Sequence, residues 1–389
     1  MRATRRALTN AKVERISASG IRKYFDLAAG LEGVISLGVG EPDFVTPERF
    51  REAAIRSIRE GRTKYTSNYG IKPLRDAISA HTARLRGVTY DPDREILVTV
   101  GVSEAVDLAL RATLNDGDEV IIADPSYVAY VPGIVLAGGV PVPVATEEAY
   151  DFRLRPEDVE RAITPRTRAI LLGFPNNPTG AILTAGDLEG LARLAEEHDL
   201  LVYADEIYDR LVYGTEHHSI VELPRMKERT IYLAGFSKSY AMTGWRVGYA
   251  CAPAEVIEQM MKIHQYTVMC VPTAGQYAAL EALQHGEDEV RRMVAEYDRR
   301  RKVMLKRFNA LGLHCFEPRG AFYCFPNVTS TGMSDEVFAE RLLREEKVVT
   351  VPGSAFGERG QGHVRACYAT SLEQIEEACD RIARFVGRR

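Results

Sequence analysis

The sequence predicts an α/β fold organised around a mainly parallel sheet covered by helices. Two observations carry that prediction. From Glu95 onward, short β-branched runs alternate with helical stretches, the pattern that builds a parallel sheet with helices on both faces. The chain has 389 residues, 46% hydrophobic and 27% charged, an ordinary globular balance with length for two or three domains and a large core.

The elements follow in order. The basic opening, Arg2 to Arg15, fits either a transit peptide or a polar arm over residues 1–14. The arm is the preferred reading, because a helical segment from Ser19 to Ala29 follows without a cleavage-like break. Ile96 to Val100 is predicted as a strand, Ser103 to Leu114 as a helix and Glu119 to Ala123 as a strand. The most apolar stretch, Tyr130 to Ala145, is interrupted by Pro132, Pro141 and Pro143 and cannot be a membrane span. Ala169 to Leu172 is a strand, followed by a helix from about Ala185 to His198 that opens on Thr184 with Asp187 three residues on. Leu201 to Ala204 and Thr230 to Ala234 are strands, and Val247 to Cys251 is another apolar run. One long amphipathic helix, Glu287 to Leu311, turns Val290, Val294, Tyr297, Met304 and Phe308 inward and links a large domain to a smaller C-terminal one. The last helix begins at Ser371 with Gln374.

Composition excludes several function classes. A net charge of -4 gives no footprint for nucleic acid or an anionic membrane surface. The six cysteines (251, 270, 315, 324, 367 and 379) show no metal-ligand spacing, and with no secretory apolar region a reducing cytoplasm is the expected compartment. Internal repeats and long linkers are absent.

Ligands of parallel sheets bind beyond the carboxyl ends of strands, so the residues there decide the chemistry. Lys238 lies in Gly235-Phe236-Ser237-Lys238-Ser239-Tyr240-Ala241-Met242-Thr243-Gly244-Trp245-Arg246, after one apolar run and before another. A lone lysine there, with an arginine eight residues on, is suited to a Schiff base with an aldehyde cofactor whose phosphate the arginine holds. That describes a pyridoxal-phosphate (PLP) enzyme. Gly101-Val102-Ser103 opens a helix and offers N–H groups to a phosphate, although serine there is more often a plain cap. Tyr127, after Asp124-Pro125-Ser126, is either a stacking platform or a rim tyrosine. Phe174-Pro175-Asn176-Asn177-Pro178-Thr179-Gly180 is a rigid turn that suits an amide holding a cofactor oxygen. Asp205 ends an apolar strand, where an acid needs a partner; a protonated pyridine nitrogen and neighbouring backbone are equally good candidates, and Tyr208 reaches the same ring. Arg365 is the lone charge of a strand-like run, placed either to grip a carboxylate or to pair at the surface.

Together these segments resemble the class I aminotransferases of PLP fold type I, in the branch with bacterial aspartate and archaeal aromatic aminotransferases. The matching strings run in family order from Ser36–Phe44 and Tyr65–Arg75 through Asn176–Gly180, Asp205–Tyr208 and Phe236–Arg246 to Val351-Pro352-Gly353 and Arg365. The resemblance implies a large domain (47–286) with a mainly parallel seven-stranded sheet between helices. It also implies a smaller α/β domain formed by 15–46 and 287–389. By the same resemblance Lys238 carries PLP and later moves a proton, and Asp205 keeps the ring nitrogen protonated. Asn177 and Tyr208 bond the phenolic oxygen, and Tyr127 stacks on the ring. Val102, Ser103, Ser237 and Arg246 hold the phosphate, with Tyr65 reaching it from the second subunit of a homodimer. Arg365 binds the substrate carboxylate, assisted by Gly40 and Asn177.

The implied reaction is transamination between an L-amino acid, aromatic, neutral or aspartate-like, and a 2-oxo acid such as 2-oxoglutarate. The alternative is a C–S β-lyase of the same fold. Two departures stand out. Gly235 replaces a serine found in some relatives, at the loss of one phosphate contact or its replacement by Ser237. The run Tyr266-Thr267-Val268-Met269-Cys270 lacks the second arginine of dicarboxylate specialists and favours aromatic or neutral substrates. In the segment Ser17 to Phe25, Ile21, Tyr24 and Phe25 are either helix core or pocket wall.

Overall fold

The computed structural model describes residues 8–18, 20–28 and 30–387. A seven-stranded mixed sheet forms its centre, in the spatial order Ile96–Thr99, Gly248–Cys251, Thr230–Gly235, Leu201–Asp205, Thr167–Leu172, Glu119–Asp124, Val140–Ala145. Gly248–Cys251 alone in this sheet runs backwards, antiparallel to both of its neighbours, while the remaining ladders are parallel. The interior strands are largely buried on both faces, which is why they read as continuous apolar runs.

Val140–Ala145 is an element that the sequence reading took for an interrupted apolar stretch. Its prolines read as breakers, yet Pro141 and Pro143 pair with Val120 and Ile122. The strand lies at the sheet's edge, where a missing N–H costs no ladder bond on the open side. The front of the same stretch is a short helix, Tyr130–Leu136.

Helix starts follow the local chemistry. Thr184 accepts from the Asp187 N–H at 3.1 Å, and Asp187 accepts from the Thr184 N–H at 2.8 Å, a complete capping box for Ala185–Glu197. Ser371 accepts from the Gln374 N–H at 3.3 Å, but the Gln374 side chain takes the Thr370 hydroxyl instead of reaching back, so only half of that box forms.

The second packing unit joins the two ends of the chain. Ile35–Ser36 pairs in parallel with Val348–Val349, and Val351–Pro352, Val364–Cys367 and Tyr323–Cys324 form a three-stranded antiparallel sheet. The helix Glu287–Ala310 spans both units. Val290 packs into the core beside the large sheet, whereas Tyr297, Met304 and Phe308 pack with Ile35, Phe338 and Ile382. Val294 is only half-buried and touches both cores, so the expected inner face is continuous but shallow at its middle.

Candidate active site

Strand direction explains how the chemically pointed residues meet. Parallel strands end at one rim, which delivers Gly101, Asn177, Asp205 and Lys238 there from four different strands. The reversed strand Gly248–Cys251 begins at that same rim, so Arg246, just before it, arrives beside them. A cavity of about 460 Å³ opens at this rim. Its walls include Gly40, Val102, Ser103, Tyr127, Asn177, Asp205, Tyr208, Ser237, Lys238, Arg246 and Arg365. Of the residues that the resemblance gives a cofactor or substrate role, Tyr65 lies apart from this cavity; it is 80% exposed on the same chain.

The amine and the acid are both desolvated. Burial pushes the Lys238 amine down to about 8, with the Arg365 charge acting in the same direction. Its Nζ donates to the Gly40 carbonyl at 2.6 Å. Burial raises the Asp205 carboxyl to about 6. Asp205 accepts from the Ile207 N–H at 3.2 Å and from the Tyr130 hydroxyl at 2.9 Å. Of the two expected partners, neighbouring backbone takes one Asp205 oxygen, while the residue still borders the cavity.

At one end of the cavity Arg246 stands over the start of the helix Gly101–Thr113. Gly101 has φ +73°, which favours glycine, and a Cβ there would lie 2.7 Å from the Arg246 Nη2, so a side chain would displace the guanidinium. Arg246 is itself left-handed at φ 54° and donates to the Thr243 carbonyl at 3.1 Å. Among the described residues no carboxylate pairs with it. A guanidinium beside the positive end of a helix is a poor arrangement unless an anion joins them. Ser103 does not cap this helix; Glu104 accepts from the Val100 N–H instead, which leaves the Ser103 hydroxyl exposed at the cavity. Gly235 has a packing reason: a Cβ would stand 2.9 Å from Val102 Cγ2 and 3.0 Å from the Gly248 Cα, so a serine does not fit.

At the other end Arg365 is 2% exposed. Its Nη1 donates to Asn177 Oδ1 at 2.8 Å and its Nη2 to the Gly38 carbonyl at 2.6 Å, while its Nε has no partner among the described residues. The guanidinium carbon sits 4.5 Å from the Tyr323 ring centre and 4.8 Å from that of Phe356. A buried, positioned cation without a carboxylate is built to receive one.

Between the ends, Tyr127 meets Tyr130 edge-on at 5.5 Å, and the Tyr208 and Tyr323 hydroxyls are 2.8 Å apart. Ile21 borders the cavity, whereas Tyr24 is core, packed with Ala339, Leu343 and Val349; the Phe25 side chain lies outside the described residues. Sequence reasoning missed Tyr130 and Tyr323. Tyr130 lies one turn beyond Tyr127, which was the available signal; Tyr323 had none, because a distant strand brings it in.

The residues fit pyridoxal phosphate. A phosphate would neutralise Arg246 and the 101–113 helix start, a protonated ring nitrogen would offset the desolvated Asp205, and the depressed amine of Lys238 is ready to meet an aldehyde.

Comparison with known proteins agrees. The family model for aminotransferase class I and II matches residues 32–382. A putative aminotransferase of Bacillus subtilis is 51% identical over 96% of this chain and 97% of its own length. Aromatic-amino-acid aminotransferase 2 of Thermococcus litoralis is 46% identical over 96% of this chain and 97% of its own. The structure of aspartate aminotransferase from Thermus thermophilus with maleate superposes with a TM-score of 0.93 at 41% identity, covering 98% of this chain and all of that one (100%). None of these matches favours the C–S β-lyase. The chain belongs to the class I and II aminotransferases, pyridoxal-phosphate-dependent enzymes that exchange amino groups between amino acids and 2-oxo acids.

Proposed function

We propose that this aminotransferase takes aromatic or other neutral L-amino acids as donors, with a 2-oxo acid such as 2-oxoglutarate as acceptor. One observation carries the reading: a single cavity holds a depressed amine, a buried acid and two arginines that have no carboxylate partner among the described residues. When bound, pyridoxal phosphate supplies an aldehyde that condenses with amines and a ring that draws electrons from the bond being broken. Lys238 Nζ, uncharged in a useful fraction near neutral pH, takes the proton from the substrate Cα. Asp205 holds the proton on the ring nitrogen. Asn177 and Tyr208 bond the phenolic oxygen and Tyr127 covers a ring face. Arg246, Ser103, Ser237 and the amides from Val102 onward hold the phosphate, and Arg365 with Gly40 and Asn177 receives the substrate carboxylate.

The donor preference rests on what lines the substrate side. The cavity's cations, Lys238, Arg246 and Arg365, all have assigned work, and Ile21 and Val39 supply apolar wall while Glu41 adds negative charge. Nothing among the described lining residues remains to pair with a second carboxylate. An aspartate-like donor is the second reading, favoured by the relatives that carry the name aspartate aminotransferase.

A homodimer completes the site in this reading. Tyr65 (80% exposed), Tyr266 (88%), Val268 and Met269 are large apolar groups left on the surface. The loop of Tyr65 is tied to the segment after Met269, because Thr273 donates to the Lys64 carbonyl at 3.1 Å. Covering this patch with a second copy would bring Tyr65 of one protomer towards its partner's phosphate site. Residues 47–286 form the large domain in this reading, and 15–46 with 287–389 the smaller one. Six free cysteines suit a reducing cytoplasm, and no described helix is long and apolar enough to cross a membrane.

The deciding experiment mixes the holoenzyme with each common amino acid and follows the absorbance of the bound cofactor. Tyrosine and phenylalanine should convert it faster than aspartate. Faster conversion by aspartate overturns the donor preference. Pyruvate and ammonia from cystathionine, without conversion by any amino acid, overturns the reaction.

A further inference from the structure

Asp205 is the only acid that the proposed function places against the cofactor ring, and what holds it in place has not been assigned. Its Oδ2 accepts from the Tyr130 hydroxyl at 2.9 Å, from a side chain 4% exposed at the start of the short helix Tyr130–Leu136. The same tyrosine ring braces Tyr127 edge-on at 5.5 Å. Tyr130 reaches Asp205 across the end of the strand Thr167–Leu172, directly over Gly173. A Cβ on Gly173 would lie 2.4 Å from the Tyr130 hydroxyl oxygen and 2.8 Å and 2.9 Å from its ring carbons. Gly173 has no left-handed φ, so alanine suits its backbone, and the three atoms nearest to a Cβ there all belong to this tyrosine.

We infer that Tyr130 is a positioning residue that fixes Asp205 for the cofactor's ring nitrogen, and that Gly173 is the gap through which its hydroxyl reaches. The inference rests on the proposed role of Asp205. The hydroxyl donates to the ionised carboxylate and turns it into a definite orientation, which a protonated acid would not require. Its pull opposes the burial that raises Asp205, alongside the Ile207 N–H and the Lys238 charge, while Glu206 pushes the other way. A firmly held ring-nitrogen proton makes the nitrogen on Lys238 less basic, because two positive charges on one conjugated system repel. Loosening Asp205 should therefore make that nitrogen more basic.

Tyr130→Phe and Gly173→Ala test this without removing any group that meets the cofactor. The first keeps the brace on Tyr127 and drops only the hydroxyl; the second keeps the hydroxyl and displaces it. Both variants should bind pyridoxal phosphate about tenfold more weakly, the weight of one hydrogen bond to a charged group. The pH midpoint of the bound cofactor's absorbance change should move upward in both, a readout that a purely structural tyrosine would not shift. Circular dichroism checks folding, and if one variant unfolds the other decides. Wild-type protein that takes up no pyridoxal phosphate overturns the function and this inference together. Wild type that binds, with folded variants matching it in affinity and midpoint, overturns the inference alone.

Discussion

The two arginines at opposite ends of the cavity are prepared in different ways. Arg246 is exposed, carries one backbone hydrogen bond and owes its position to a left-handed turn between two strands. Arg365 is buried in a strand, held by two hydrogen bonds and two aromatic rings. The first is fixed by its backbone, and in the proposed assignment its charge is met by a ligand that stays. The second is fixed by its side-chain surroundings, so in the proposed assignment its orientation is set before a ligand that comes and goes arrives. Preorganisation matters more for the transient partner, because its cost would otherwise recur on every turnover.

Removing the group between the two ends gives the largest effect. Lys238→Ala should lower turnover by at least about 10⁴-fold, as expected when a general base and covalent anchor are lost together. Borohydride reduction followed by peptide mapping should label Lys238 in the wild type and no lysine in the variant. Arg365→Ala should lower kcat/KM for amino acids by roughly 100-fold, the loss of a bidentate charge-assisted contact, while cofactor affinity stays the same. Arg246→Ala should do the reverse: cofactor affinity falls by about 10- to 100-fold, and excess pyridoxal phosphate restores much of the rate. If both variants lose substrate and cofactor binding alike, the division of labour between the two ends is wrong. Ser103→Ala, at the Arg246 end, should weaken the cofactor by only about fivefold, since one neutral hydroxyl is worth about 1 kcal/mol.

A pH series sharpens the same contrast. Lys238 sits at about 8 against an ordinary 10.5, so only its uncharged fraction captures the aldehyde. Covalent capture by the cofactor-free protein should rise with pH and level off above about 8. Between about 8 and 10.5 the unfolded chain binds more protons at this lysine, so its contribution to stability rises with pH across that window. Asp205 runs the other way at lower pH. The folded carboxyl, raised from 3.8 to about 6, binds more protons than the unfolded one, so stability falls as pH rises through that interval. Thermal melts of cofactor-free protein from pH 4 to 10, with Asp205→Asn as control, check both signs.

Much of this arrangement was legible in the sequence because strand-end residues carry it. Lys238, Asp205, Asn177 and Gly101 each follow an apolar run, and a parallel sheet gathers such positions at one rim. What escaped depended on distance in space. Tyr323 and Tyr130 contact Tyr208 and Asp205, residues 115 and 75 positions away, and no local pattern announces such a meeting. Gly173 is read as part of a turn until the Tyr130 ring is seen above it. The edge strand Val140–Ala145 hid because proline is a breaker in central strands and harmless at an open edge.

The reversed strand has a mechanical consequence. Gly235 and Gly248 are register partners on adjacent strands, so the segment carrying both Lys238 and Arg246 is a loop stapled at its two feet. The spacing between Lys238 and Arg246, the proposed bond-forming nitrogen and phosphate grip, is therefore a property of one hairpin-like arch. Arg365 belongs to a different sheet. Any rocking of that second sheet would open or narrow the mouth of the cavity while the arch, and the seat it defines, stayed put.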